Sequence, residues 1–113
     1  MQAIYRADIT VDVIELAILG VLKESELHGY ELKKRLREVL GPLSSVSFGS
    51  LYPALARLEH NGLLEAEWAL SDNNRRAKFY TLTAAGRKRL KAETERWNLA
   101  ALALNKALRA QEI

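Results

Sequence analysis

Residues 50–83 read SLYPALARLEHNGLLEAEWALSDNNRRAKFYTLT, and within them the spacing of apolar side chains changes once. Leu51, Leu55 and Leu58 recur at i, i+4 and i+7, which is one face of a helix, and Asn61-Gly62 supplies its stop. From Leu64 onward the pattern alternates. Leu64–Leu70 (LEAEWAL) and Lys78–Thr83 (KFYTLT) put an apolar residue at nearly every second position, with Ser71-Asp72-Asn73-Asn74 between them. This predicts a helix followed by a β-hairpin with a long polar tip, Arg75 and Arg76 at or beside that tip. Ser47 or Ser50 is the candidate cap of the helix. Proline is tolerated in a first helical turn, so Pro53 argues for a late start.

Working outward, Leu27–Gly41 carries Leu32, Leu36, Val39 and Leu40 at helical spacing and is stopped by Gly41-Pro42. Lys33, Lys34 and Arg37 lie off that stripe, and Leu43–Phe48 reads as a serine-rich loop. The segment Ile9–Lys23 is apolar around most of its circumference. Its β-branched residues leave a strand open, but its length argues for a helix buried on more than one side, which suggests a partner subunit. After the hairpin, Thr83 caps a long helix from Ala84 to about Ala110. The expected fold is mainly α with a small β-hairpin. It is a winged helix-turn-helix over residues 1–83, followed by a long C-terminal dimerisation helix over residues 84–113.

The 113 residues, 49% hydrophobic and 27% charged, suit one packed domain rather than a disordered chain. The absence of cysteine excludes disulfides, thiol catalysis and zinc–cysteine sites. The longest apolar stretch, Val13–Leu22, contains Glu15 and is too short for a bilayer, and Met1–Asp8 is too polar for a secretory signal. The expected setting is the cytoplasm, with no membrane partner. His28 and His60 are the two histidines, and nothing places either beside a nucleophile. No phosphate-cradling glycine loop occurs. No enzymatic activity, metal or cofactor is expected.

The net charge of +3 hides an asymmetry. Residues 1–70 hold 7 basic and 10 acidic side chains, whereas residues 71–91 hold 7 basic (Arg75, Arg76, Lys78, Arg87, Lys88, Arg89, Lys91) against Asp72 alone. Such a block is the footprint of a polyanion partner or simply a solvated face. In a helix-turn-helix the second helix faces the DNA major groove. Ser50, Pro53 and Arg57 share the outer face of that helix, with Tyr52 beside them. Small residues at Ser47, Gly49 and Ser50 let the backbone approach phosphates. Arg57 is the candidate for a phosphate or guanine contact, and Asn74, Arg75, Arg76 and Lys78 are the candidates on the wing. The competing readings are an ordinary amphipathic helix and a charged turn.

On the last helix Leu90, Trp97 and Leu104 recur every seven residues, with Thr94, Ala101 and Leu108 interleaved. That heptad seam predicts helix pairing, either within the subunit or in a two-fold homodimer. Trp97 reads as core packing, or as one wall of a site that sandwiches a planar aromatic ligand at the dimer interface. In the second case Leu16, Leu90, Thr94 and Ala101 would line it. Glu93, with Asp12 or Glu15 from the first helix, would favour a cationic ligand.

Three strings resemble the PadR family of transcriptional regulators: His28-Gly29-Tyr30-Glu31-Leu32, then Gly49-Ser50-Leu51-Tyr52-Pro53-Ala54-Leu55 with Arg57-Leu58-Glu59, then Arg75-Arg76-Ala77-Lys78-Phe79-Tyr80. The resemblance runs from about Leu16 to Trp97. It implies a dimeric winged-helix protein, mostly a repressor, that binds double-stranded operator DNA. By motif, Tyr30 matches the second-helix tyrosine that approaches the DNA backbone; Lys33, off the apolar stripe of the same helix, is a further candidate DNA contact. Ser50, Tyr52 and Pro53 begin the recognition helix, and Arg76 and Lys78 belong to the wing. The single C-terminal helix is similar to the short subfamily, which includes a multidrug regulator with a drug-stacking tryptophan placed as Trp97 is. The readings kept beside this one are a winged-helix protein-interaction module and a constitutive DNA binder without effector.

Overall fold

The computed structural model describes residues 13–41 and 48–110. Helix α1 covers residues 13–21, α2 Gly29–Leu40, α3 Phe48–His60 and α4 Ala84–Ala110. Strands β1 (Leu27–His28), β2 (Leu64–Leu70) and β3 (Arg76–Leu82) form an antiparallel sheet in the order β1-β3-β2. Asp12 and Ser47 lie outside the described residues.

One apolar cluster joins these elements. Ile18, Leu19 and Leu22 from α1 and its closing turn meet Leu32 and Leu36 of α2 and Leu51, Leu55 and Leu58 of α3. Ala54 of α3, Leu63 before β2, Leu64, Tyr80 and Leu82 of the sheet and Leu90 of α4 complete it. The α3 stripe read from the spacing is buried whole; of the α2 stripe Leu32 and Leu36 are buried and Leu40 is half-buried, whereas Val39, expected on the same face, is exposed. Helix α1 presents Ile18 and Leu19 to this core and leaves Ile14, Leu16, Ala17 and Val21 half-covered.

Three boundaries differ from expectation. Leu27 and His28 are not helical but pair with Tyr80 and Phe79 as a third strand. The strand delivers His28 to the N-cap of α2, where its Nδ1 accepts from the Glu31 amide (3.3 Å) and its own amide donates to Glu31 Oε1 (3.4 Å). This is a capping box with imidazole in the usual hydroxyl role. Helix α3 starts early, at Phe48, so Pro53 is its sixth residue rather than part of its first turn. Proline there removes the hydrogen bond to the Gly49 carbonyl and costs about 3 kcal/mol. Full burial of Leu51, Leu55 and Leu58, at roughly 1.5–3 kcal/mol each, outweighs it. Finally, β3 begins at Arg76, opposite Leu70, two residues earlier than the alternation indicated.

The hairpin tip is short and defined. The Asn74 amide donates to the Ser71 carbonyl (2.9 Å), and the Ser71 amide donates to the Arg75 carbonyl (2.8 Å). Asn74 is left-handed at φ 60°, a conformation asparagine tolerates well. Thr83 caps α4, its hydroxyl accepting from the Gly86 amide (2.9 Å) and donating to the Gly62 carbonyl (2.7 Å). Gly86 lies so close to the Leu63 carbonyl that no side chain fits there. Beyond Leu90, α4 exposes Trp97, Leu99, Leu102, Leu104 and Leu108. The fold is a winged helix-turn-helix with a long C-terminal helix.

Candidate nucleic-acid interface

The start of α2, one face of α3 and one face of the hairpin enclose an open groove of about 790 Å³. Tyr30 enters from α2. Tyr52, Ala56 and Glu59, at i, i+4 and i+7, enter from α3. The hairpin supplies Trp68, Arg75, Arg76, Lys78 and Tyr80. Tyr30 is 67% exposed and Tyr52 47%, so both hydroxyl-bearing rings are open to a ligand. Tyr52 packs over Gly29, where a Cβ would meet its ring at 3.0 Å; the glycine makes room for the tyrosine.

The cations of the groove are held differently. Lys78 Nζ donates to Glu59 Oε1 at 3.0 Å, tying the wing to α3, and lies 5.7 Å from the centre of the Tyr80 ring. The Glu59 hydrogen bond raises the lysine pKa against a smaller lowering by burial. Burial raises that of Tyr80, and Lys78 partly counters this. Arg76 instead lies over the Trp68 ring, its guanidinium carbon 5.0 Å from the centroid. Arg75 is exposed at the tip.

The expected residues separate into groups. Tyr30, Tyr52, Arg75, Arg76 and Lys78 come together in the groove, with Asn74 at the adjoining tip. Pro53 is exposed on α3, while Lys33 and Ser50 are half-buried and are not among the residues lining the groove. Arg57 points elsewhere, its Nε 3.1 Å from Glu15 Oε1 on α1. The basic run of residues 71–91 also divides. Arg87 donates to the Lys23 carbonyl at the end of α1 (3.0 Å), and Arg89 pairs with Glu93 (3.0 Å). These arginines serve the fold, and the wing alone brings its cations to the groove.

Glu15, Leu16 and Glu93 meet where α1, α3 and α4 join, around a recess of about 10 Å³, far too small for a planar ligand. Glu15 is paired with Arg57, and Glu93 with Arg89 and, at 3.6 Å, Arg96. Both described carboxylates expected to attract a cation therefore already have one. Leu90 is buried, the Thr94 hydroxyl donates to the Leu90 carbonyl (2.7 Å), Ala101 is half-buried and Trp97 is 53% exposed. Two groove residues, Glu59 and Trp68, were not singled out from the sequence. Helical spacing from Tyr52 gives the first, and strand alternation opposite Lys78 gives the second. Among the described residues no group of three His, Asp or Glu side chains is placed to hold a metal, and no helix is long and apolar enough to cross a membrane.

Comparison with known proteins agrees with this geometry. Residues 18–92 match the family described as "Transcriptional regulator PadR-like family". A relative from Bacillus subtilis, "Negative transcriptional regulator PadR", is 33% identical over 78 residues, covering 69% of this chain and 43% of its own length. The chain thus spans less than half of that relative. A transcriptional regulator from Clostridium thermocellum superposes with a TM-score of 0.75 at 33% identity, over 87% of this chain and 94% of its own. Bacillus subtilis PadR in complex with operator DNA gives 0.66 at 32% identity, over 73% of this chain and 46% of its own. With its fold, its three motifs and two thirds of its length accounted for in this way, the chain belongs to the PadR-like family of transcriptional regulators.

Proposed function

We propose that the chain is a sequence-specific DNA-binding repressor that acts as a homodimer. Residues 1–83 form the DNA-binding unit, and residues 84–113 form the dimerisation helix. The observation that carries this reading is the groove between α3 and the wing, where Tyr30, Tyr52, Arg75 and Arg76 converge on one open face. Such a face combines phosphate contacts from the wing with base contacts from the helix. Operator DNA bound to the Bacillus subtilis PadR structure and the negative regulation attributed to the Bacillus subtilis relative support the same reading. The exposed row Trp97, Leu104 and Leu108 supports pairing of α4 with a second copy.

The same row supports a small planar ligand held between the two Trp97 side chains of a dimer, since the nearby recess at Glu15, Leu16 and Glu93 holds only about 10 Å³ among the described residues. Its charge is not set by Glu15 or Glu93, which are paired. Ligand binding would favour a spacing of the two α3 helices that fits the operator poorly. The test is fluorescence anisotropy on a duplex from the protein's own upstream DNA and on a scrambled duplex, at two salt concentrations. Tight, salt-sensitive and selective binding supports the repressor. Equal affinity for both duplexes at both salts removes sequence-specific regulation.

A further inference from the structure

Lys78 and Arg76 sit two residues apart on the same face of β3, yet their surroundings do opposite things to their charge. Lys78 is held by a carboxylate, Glu59 at 3.0 Å, which orders its ammonium group and cancels its charge at once. Arg76 is held by an indole. Across the sheet Trp68 faces Lys78 and Leu70 faces Arg76, so Trp68 is the diagonal neighbour of Arg76 on the groove side. The guanidinium carbon lies 5.0 Å from the Trp68 ring centre, inside the range of about 6 Å over which a cation is drawn to an aromatic face. Among the described residues no carboxylate lies within ion-pair distance of Arg76. An aromatic support restricts a long side chain and leaves its full positive charge and its fork of donors available.

We infer that Trp68 is a positioning residue for nucleic-acid binding: its exposed indole holds the Arg76 guanidinium, which has no carboxylate partner among the described residues, at the mouth of the groove. Trp68 is 56% exposed on a strand whose same face meets the core at Leu64 and, half-buried, at Ala66, and is open from Trp68 onward. Burial therefore gives little reason for a tryptophan at this position, whereas the stacked arginine gives one. Lys78, two residues on, then serves as the strut that fixes the wing against α3. The inference deepens the repressor reading and rests on it.

The experiment uses the full chain and the same two duplexes, with Trp68→Ala, Trp68→Tyr, Arg76→Ala and the double variant Trp68→Ala/Arg76→Ala. Circular dichroism checks that each folds. Arg76→Ala is expected to weaken binding roughly ten-fold on both duplexes, and Trp68→Ala about two- to five-fold. The double variant should lose no more than Arg76→Ala alone, because the indole acts through the arginine. Trp68→Tyr, which keeps a flat ring, should stay within about two-fold of the unaltered chain. In a Trp97→Phe background Trp68 is the single tryptophan, and Arg76→Ala should change its emission without DNA. Losses that multiply in the double variant, or Trp68→Ala binding as the unaltered chain does, overturn the role of Trp68 while leaving the repressor reading intact. An unaltered chain that binds neither duplex overturns both.

Discussion

The guanidinium of Arg57 is tied to Glu15, Nε to Oε1 at 3.1 Å, so α3 is fastened to α1 on the side away from the wing. Glu15 is the more buried partner, with 15% of its side chain exposed against 44% for Arg57. This pair decides what Arg57 does. Arg57→Ala is expected to leave the ratio of affinities for upstream and scrambled duplex unchanged within about two-fold, because the side chain is turned from the groove. Parallel anisotropy titrations on the two duplexes check it. The stability loss should be about 1 kcal/mol, the upper range for a pair with one exposed member, and is read from urea midpoints.

Two glycines make opposite predictions. At Gly86 a Cβ would overlap the Leu63 carbonyl, a backbone atom with nowhere to go, and would also crowd Leu82. Gly86→Ala should cost about 2 kcal/mol or more and lower the thermal midpoint by several degrees. At Gly20, in helix α1, a Cβ meets nothing within 4 Å among the described residues. Gly20→Ala should therefore stabilise the chain by about 0.5–1 kcal/mol through helix propensity.

Alkaline pH should loosen the wing. The folded-state pKa values of Lys78 and Tyr80 are both raised, the first by its hydrogen bond to Glu59 and the second by burial. For a raised pKa the stabilisation is complete below the unfolded value and is lost as pH climbs through the folded one. Thermal midpoints should thus be unaffected by these groups up to about pH 9 and fall above about pH 10. Glu59→Gln should shrink that fall by removing the lysine share, while the tyrosine share remains.

The exposed row on α4 predicts assembly. Leu104→Asp places a charge in the proposed seam and should shift the protein from dimer to monomer in analytical ultracentrifugation at micromolar concentration. Duplex affinity should fall with it, because two half-sites can no longer be held by one particle. In Trp68→Phe the one remaining tryptophan is Trp97, and planar dyes should quench its emission; Trp97→Ala should keep the helix and abolish dye binding, read from the fluorescence of the dye itself.

Much of the fold was legible because it rests on local patterns. The leucine stripes of α2 and α3, the alternation of β2 and β3, and the cap at Thr83 each follow from a few consecutive residues. The misplaced boundaries depended on distant partners. Leu27 and His28 become a strand because Tyr80 and Phe79 lie alongside, and Pro53 is tolerated because three leucines beside it are buried. The site divided the same way. Its tyrosines and wing cations carried motif signals, whereas a run of charges says nothing about which carboxylate or carbonyl each member meets. Arg57, Arg87 and Arg89 looked like partners for a polyanion and are engaged within the chain. Trp68 looked like ordinary hairpin filling.

With β3 in the middle of the sheet, β2 is left as an outer strand, its far side a row of backbone donors and acceptors without a neighbour among the described residues. Trp68 and Leu70 make one of its faces sticky, which is the composition of a strand that recruits copies of itself. Glu65 and Glu67 occupy the opposite face, two exposed like charges along the same short strand. A second β2 arriving edge to edge would bring four carboxylates together. The hairpin can therefore keep a greasy surface for its own purposes while its rim repels the aggregation that such a surface invites.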